Sequence, residues 1–427
     1  MSADEHRAVS NCTVIRPFVE EVGAITLESV AEAYPVMGID SAEKLAAYVH
    51  DLSQSARDSE VHWVVAEDMN RELVGAMRLY DFRMNVRGID ALTGGVGSVA
   101  VALAHKRQGI ARALIAWYLD YYRTRGAAFA VLHPFRLDFY RKLGFGYGTP
   151  THRYRFAPET LRPEGASGTV RPLGAADLDA MISCSERVRA QTNGLIAKHR
   201  PATERALRDK KSRYIGVVVQ ETLRAFMQTS IALGEQGHTN NNSLIVRDLQ
   251  AEDDASFAAL LGYLHAQRDQ FAAISIESQD EALFLVANDP RDGSDVVVKP
   301  PATHRISETG LGVMYRLLDI PRAMAHLSAV EAAFTLRVEV EDTFFMPTAG
   351  TWTFRFSKHE APQIDEESEP DAMLRIGCAD LASLIVGSLG LRSMVRHRLV
   401  ALEPAEMIGT VATAFRVSAA PFCQTRF

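Results

Sequence analysis

Lys106, Arg107 and Arg112 surround Gly109 at the point where a short apolar run gives way to a helical pattern. The stretch reads Val99-Ala-Val-Ala-Leu-Ala-His-Lys-Arg-Gln-Gly-Ile-Ala-Arg112. Its spacing predicts a strand over Ser98 to Leu103, a basic turn, and a helix from Ile110 to about Arg125 that Gly126 ends. Ile110, Leu114, Trp117 and Tyr121 give that helix an apolar side. A helix start presents unpaired N–H groups and the positive end of the macrodipole, so this turn can hold phosphate, and a diphosphate-bearing cofactor is the expected ligand. The spacing fits neither Gly-x-Gly-x-x-Gly nor Gly-Lys-Ser/Thr. A second residue with usable chemistry is Tyr140, in the run His133-Pro-Phe-Arg-Leu-Asp-Phe-Tyr-Arg-Lys-Leu-Gly-Phe-Gly146 that follows an apolar strand over Ala127–Leu132. By itself Tyr140 reads as an aromatic on the buried side of a short helix. A phenol of pKa about 10 is also a competent proton donor to a departing thiolate.

The two segments together resemble the GNAT acetyltransferases. Lys106-Arg-Gln-Gly-Ile-Ala111 fills that family's Arg/Gln-x-x-Gly-x-Gly/Ala turn, with Lys where Arg or Gln is usual, after a Val-x-Val strand. Tyr140, Gly144 and Phe145 fill its Tyr-x-x-x-Gly-Phe pattern. The resemblance implies acetyl-coenzyme A as cosubstrate. Val99, Ala100 and Val101 would hold the pantetheine arm along a bulge-splayed strand. Arg107, Gln108, Gly109, Ile110, Ala111 and Arg112 would take the pyrophosphate, and Tyr140 would protonate the leaving sulfur.

Over its whole length, by element order and by the aromatic end Pro421–Phe427, the chain resembles the Eis (enhanced intracellular survival) proteins. That likeness implies an α/β (α+β) architecture: two tandem GNAT-like mixed-sheet domains plus a sterol-carrier-protein-like C-terminal domain. The expected bounds are residues 1–156 for the catalytic domain, 157–300 for a degenerate one and 301–427 for the last. Phe135 and Arg136 would lie beside the reacting end of the cofactor. The terminal carboxylate of Phe427 would be the general base, acting after desolvation or through a water, because an α-carboxylate has a reference pKa of only about 3.3–3.7. The implied reaction is direct transfer, without a metal, to amines of aminoglycoside-like polyamines or lysine side chains, with a backbone N–H of the splayed strand holding the oxyanion. The likeness also implies a homohexamer. Two other readings stay open: an acyltransferase using a longer acyl donor, as N-myristoyltransferases do, and a non-catalytic scaffold that binds coenzyme A or a lipid. Asp81, Asp90, Glu186, Asp248 and Asp292 could each grip a cationic acceptor, and each also reads as a solvated surface charge.

These residues need a scaffold, and the pattern supplies one. Strands are expected at Thr13–Phe18, His62–Asp68, Glu72–Tyr80 and Ala127–Leu132, with Tyr154–Pro158 closing the first domain. Helices are expected over about Ile25–Tyr34 and Ser41–Ser53, the latter capped by Ser41. Ala157–Gly168 reads as a linker. Thr169-Val-Arg-Pro-Leu then echoes Thr13-Val-Ile-Arg-Pro-Phe, opening a second unit with the same order of elements. Its strands fall at Tyr214–Gln220, Ala225–Ile231 and Leu244–Leu249 and its helix at Asp254–His265, but it lacks the basic glycine turn. Gly234–Asn242 reads as a polar loop. After a boundary near Asn288–Pro301, Met314–Met324 reads as a strand leading into a helix. Strands follow at Phe334–Val340, Gly350–Ser357 and Met373–Ile376, and Cys378–Leu389 reads as a helix.

Length and composition agree with this plan. At 427 residues the chain exceeds a single core, and its 47% apolar and 23% charged residues are those of an ordinary globular protein. A net charge of −7 argues against a nucleic-acid partner. Cys12, Cys184, Cys378 and Cys423 are scattered without a Cys-x-x-Cys pair, so neither a disulfide framework nor a zinc site is expected. No leader pattern and no membrane-spanning run is seen, which fits the cytoplasm.

Overall fold

The computed structural model describes residues 7–10, 13–17, 39, 41–44, 46, 59–163, 168–234, 241–294, 296–299, 301–328, 330–358, 360–365 and 367–427. The helix expected over Ile25–Tyr34 lies outside them, as do most of Ser41–Ser53 and of the Gly234–Asn242 loop. At Ser41 the side-chain oxygen accepts from the Lys44 N–H at 3.3 Å, as an N-cap does. The chain divides into two compact units, residues 1–148 with 313–418 and Phe427, and residues 149–312 with 419–426.

The first unit is built on a mixed eight-stranded sheet. Its strands are β1 (Arg7–Ser10), β2 (Thr13–Pro17), β3 (Val61–Glu67), β4 (Leu73–Val86), β5 (Ile89–Val101), β6 (Phe129–Leu132) and β7 (Gly146–Tyr147), with one late strand between β6 and β7. Helix α1 (Ile110–Thr124) follows β5 and α2 (Leu137–Lys142) follows β6. The strand expected at Ser98–Leu103 is the end of the much longer β5, and Leu103–His105 is a 3-10 turn. Glycines hide the length of β5. A β-carbon on Gly94 would lie 2.4 Å from the Tyr122 ring, and one on Gly95 2.2 Å from the Phe82 ring. The buried side of α1 is Ile110, Leu114, Ile115, Trp117, Tyr118, Leu119 and Tyr122; Tyr121 is half-exposed and stacks on Trp117.

The second unit repeats the plan with β8 (Pro150–Phe156), β9 (Thr169–Leu173), α3 (Leu178–Gln191), α4 (Arg200–Arg208), β10 (Ser212–Val219), β11 (Thr222–Ala232), β12 (Ser243–Ala251), α5 (Asp254–His265) and β13 (Ala273–Ser278). A hairpin, β14 (Val297–Lys299) and β15 (Thr303–His304), precedes β16 (Ser307–Leu311). The sheet order is β16-β8-β13-β12-β11-β10-β9. Two expectations are corrected here. The strand at Tyr154 does not close the first sheet; as β8 it pairs with β13 and β16 in the second. Part of the expected linker is core, because Leu161 bridges to Ala287 and is buried with Tyr154, Phe156 and Leu260.

Met314–Leu317 forms β17, which joins the first unit's sheet between β6 and β7. After α6 (Ile320–Met324) come β18 (Phe334–Glu341), β19 (Gly350–Phe356), β20 (Gln363–Ile364), β21 (Ala372–Gly377), α7 (Cys378–Val386), α8 (Leu391–Arg396), β22 (Val400–Glu403) and α9 (Ile408–Ala414). The five strands make a sheet of order β20-β19-β18-β21-β22. All nine residues of α7 are buried, and its two polar ones are satisfied, Asp380 by Arg141 and the Ser383 hydroxyl by the Tyr147 carbonyl. No helix among the described residues is long and apolar enough to cross a membrane.

Candidate active site

The site forms where β5 parts from β6. The parallel ladder between them runs from Thr93↔Phe129 to Val96↔Leu132, whereas β4 follows β5 on to Gly75↔Val101. Along that stretch Ala76 faces Ala100 but Arg78 faces Gly97, so β5 carries one extra residue. Ser98 takes the strain of this bulge at φ +50°. Gly97, Ser98, Val99, Ala100 and Val101 therefore extend past the last β6 partner, the geometry a splayed, arm-binding strand requires.

From Val101 the chain turns through Leu103–His105 into the basic segment. Arg107 (φ +66°) and Gly109 (φ +84°) both adopt left-handed conformations, and Gly109 caps α1. A β-carbon on Gly109 would meet nothing within 4 Å, so conformation and not space demands glycine here. Lys106, Arg107, Gln108 and Gly109 are exposed, and the N–H groups of Ile110, Ala111 and Arg112 are those that begin a 15-residue helix. The guanidinium of Arg112 lies over the Phe344 ring at 4.6 Å, held at the rim of the turn by a cation–π contact. This helix start suits a diphosphate, and the bulged strand beside it suits an amide-bearing arm, so the residues present fit acetyl-coenzyme A.

Tyr140 sits on α2, buried, with its ring edge-on to Phe135, Phe139 and Phe145 at 5.8, 5.1 and 5.8 Å between centroids. Phe135 itself is 64% exposed. Arg136 is exposed and makes a two-point ion pair with Asp138 at 3.0 and 2.5 Å. The Tyr140 helix ends in Gly144 at φ +81°, against which the buried Arg316 guanidinium packs.

Phe427 reaches the same region of the first unit. A β-carbon on Gly97 would lie 3.2 Å from its carboxyl carbon and 3.4 Å from a carboxyl oxygen. Its ring lies in a box made by Tyr80 (5.5 Å), Phe82 (4.8 Å) and His133 (4.9 Å). Four residues, His133 to Arg136, thus carry one ring to Phe427 and another to Tyr140. Tyr80, Phe82 and His133 are absent from the residues singled out by sequence. The signal for the first two is their alternation on β4, two aromatics on one face of a strand.

The five acidic candidates each have a cationic partner. Asp81 binds Arg125 at 2.6 Å and accepts from the Tyr122 hydroxyl at 2.8 Å, with His62 at 3.3 Å. Burial alone would raise the Asp81 pKa, but the hydrogen bonds of His62, Arg125 and Tyr122 outweigh it and hold it at about 2. Asp90 pairs with Arg83, Glu186 with Arg189 at 2.8 Å, Asp248 with Lys198 at 2.5 Å and Asp292 with Arg305. Asp81 is structural, tying β4 to the end of α1.

Comparison with known proteins bears on the same elements. Residues 27–148 match an acetyltransferase (GNAT) domain model, residues 194–316 match a second one, and residues 320–424 match a sterol carrier protein domain. An uncharacterized N-acetyltransferase of Streptomyces coelicolor is 27% identical over 369 residues, covering 82% of this chain and 84% of that protein. The GCN5-related N-acetyltransferase from Kribbella flavida shares the fold over 100% of both chains at 20% identity and a TM-score of 0.76. Eis1 from Mycobacterium abscessus shares it over 97% of this chain and 100% of its own, at 21% identity and a TM-score of 0.75. The chain is an N-acetyltransferase of the GNAT type, with two acetyltransferase domains ahead of a sterol carrier protein domain.

Proposed function

We propose that this enzyme, in the manner of the Eis proteins, transfers acetyl from acetyl-coenzyme A directly to primary amines of aminoglycoside-like polyamines or to lysine side chains. Tyr140 is the general acid and the Phe427 carboxylate the general base. Bound acetyl-coenzyme A supplies a thioester carbonyl open to attack by an amine. Val99, Ala100 and Val101 hold its arm, the Arg107–Arg112 turn holds its diphosphate through main-chain N–H groups, and Phe135 and Arg136 flank the reacting end. A base is required because an alkyl ammonium of pKa about 10.4 leaves only roughly one amine in a few thousand neutral at pH 7. The Phe427 carboxylate takes that proton, a main-chain N–H of the bulged strand steadies the oxyanion, and the Tyr140 phenol gives its proton to the departing sulfur.

The observation that carries this assignment is the seat of the Phe427 carboxyl group against Gly97, one residue before the bulge at Ser98. Gly97→Val fills that seat, so it should displace the carboxylate. The same likeness to Eis proteins predicts a homohexamer in the cytoplasm, and light scattering at six chain masses checks the assembly.

The test is thiol release from acetyl-coenzyme A over a panel of aminoglycosides, polyamines and lysine peptides, with the native protein and with Tyr140→Phe. The expected result is turnover with at least one amine class and a loss of about a hundredfold or more in kcat for the variant. Calorimetric binding of acetyl-coenzyme A without thiol release for any amine would overturn the proposal and favour a coenzyme-binding scaffold.

A further inference from the structure

The second unit carries the same strand parting as the first. Its parallel ladder between β12 and β13 ends at Val246↔Ile276, and β11 continues beside β12 with Phe226 facing Gln250 but Gln228 facing Arg247. Asp248 takes the bulge at φ +49°, as Ser98 does at φ +50°. Register thus equates Gly97 with Arg247, and His133 with Glu277, each pair occupying the same place relative to the last rung. The anion seat is missing, because β12 ends at Ala251 and α5 begins at Asp254, where β5 and α1 are separated by a basic turn.

The chain's own tail runs beside the end of β13 in this unit. The Thr149 hydroxyl donates to the Pro421 carbonyl at 2.6 Å, the Phe422 N–H donates to the Asn193 carbonyl at 2.7 Å, and the Asn193 side chain donates to the Ala419 carbonyl at 3.3 Å. The Cys423 N–H donates to Gln279, whose amide in turn donates to the Thr149 carbonyl at 3.0 Å. Gln279 and Cys423 are both buried. Gly194, at φ +82°, lies so close that a β-carbon would be 2.6 Å from the Pro421 side chain and 2.8 Å from the Phe422 nitrogen. Arg426 pairs with Glu277, the residue equivalent to His133, and Arg247 approaches the same carboxylate at 3.8 Å. A peptide held by main-chain hydrogen bonds on both sides of a glycine slot is a built binding site, not a frayed end.

We infer that the second acetyltransferase domain has been converted from cofactor binding into a clamp for residues 419–426, which positions the Phe427 carboxylate. Gly194, Thr149, Gln279 and Glu277 are positioning residues in this account. Arg426, the last of the clamped residues, is held on Glu277. The inference rests on the base role proposed for Phe427, and the two can fail separately.

Carboxypeptidase A removes a C-terminal phenylalanine, and mass spectrometry follows its loss. Gly194→Val should release Phe427 at least about tenfold faster than the native protein does, equivalent to about 1.4 kcal/mol of lost restraint. The double variant Thr149→Val, Arg426→Ala carries smaller changes and secures the test if the first variant folds poorly. It should accelerate release about fivefold, the size of one hydrogen bond. In both, kcat should fall while the KM for acetyl-coenzyme A stays within twofold, and added formate should restore part of kcat by standing in for the misplaced carboxylate. Release at the native rate in both variants overturns the clamp. Faster release with undiminished kcat leaves the clamp standing and overturns the base role of Phe427.

Discussion

Gly109 owes its residue type to one backbone conformation, at the turn proposed to hold the diphosphate. At φ +84° it starts α1 from the left-handed region, and nothing crowds its α-carbon. Gly109→Ala therefore costs about 1–2 kcal/mol of local strain without a clash. The strain can relax by reshaping the turn, so the expected outcome is a KM for acetyl-coenzyme A raised about tenfold, with thermal unfolding shifted by only a few degrees. Isothermal titration and a melting curve measure both. The nearby Ser98 and Arg107 are also left-handed without being glycine, and nothing in their residue types announces it. Backbone strain of this kind becomes visible only when the pairing partners are known.

Among elements, the bond between β4 and α1 rests on Asp81. Its carboxylate gathers Tyr122 and Arg125 from the end of α1 and His62 from β3. Because the folded pKa, about 2, lies below the ordinary carboxylate value of 3.8, its contribution is complete above pH 4 and is lost as pH falls from about 4 to 2. The size is roughly 2 kcal/mol, so Asp81→Asn should lower stability at pH 7 by that order and flatten the acid limb of a urea-unfolding series over this window. The elements around the proposed site are legible in sequence, since the glycine turn, α1, β6 and the Tyr140 helix each have local signals. What is not legible is pairing. Tyr154 reads as a closing strand and Met314 as an opening one, yet β8 belongs to the second sheet and β17 to the first. Both are short strands whose local residues name no partner, and only the three-dimensional path decides. The box around Phe427 and the tail clamp are equally hidden, because each depends on residues far apart in the chain, and the bulge is foreseen only through the family resemblance.

Across the first unit as a whole, Arg316 on β17 is fully buried beneath the Tyr140 helix and pairs with Asp342 from the C-terminal portion. Asp342 also accepts from the Thr348 hydroxyl at 2.6 Å and from the Phe344 and Phe345 N–H groups at 2.9 and 3.0 Å. A β-carbon on Gly144 would lie 1.3 Å from an Arg316 nitrogen, so the glycine of the Tyr-x-x-x-Gly-Phe pattern is required by packing as well as by φ. Asp342→Ala strands a buried guanidinium, and chemical denaturation should report a loss of about 3–5 kcal/mol. The sterol carrier protein domain is in this sense part of the support of the Tyr140 helix.

The measurement that reaches the heart of the mechanism is the turnover of a chain shortened by Phe427 alone. If its carboxylate is the base, kcat for acetyl transfer to a responsive amine falls about 10²–10⁴-fold, while affinity for acetyl-coenzyme A and the melting temperature hold. Turnover within twofold of the native enzyme would contradict the account and return the base to another residue.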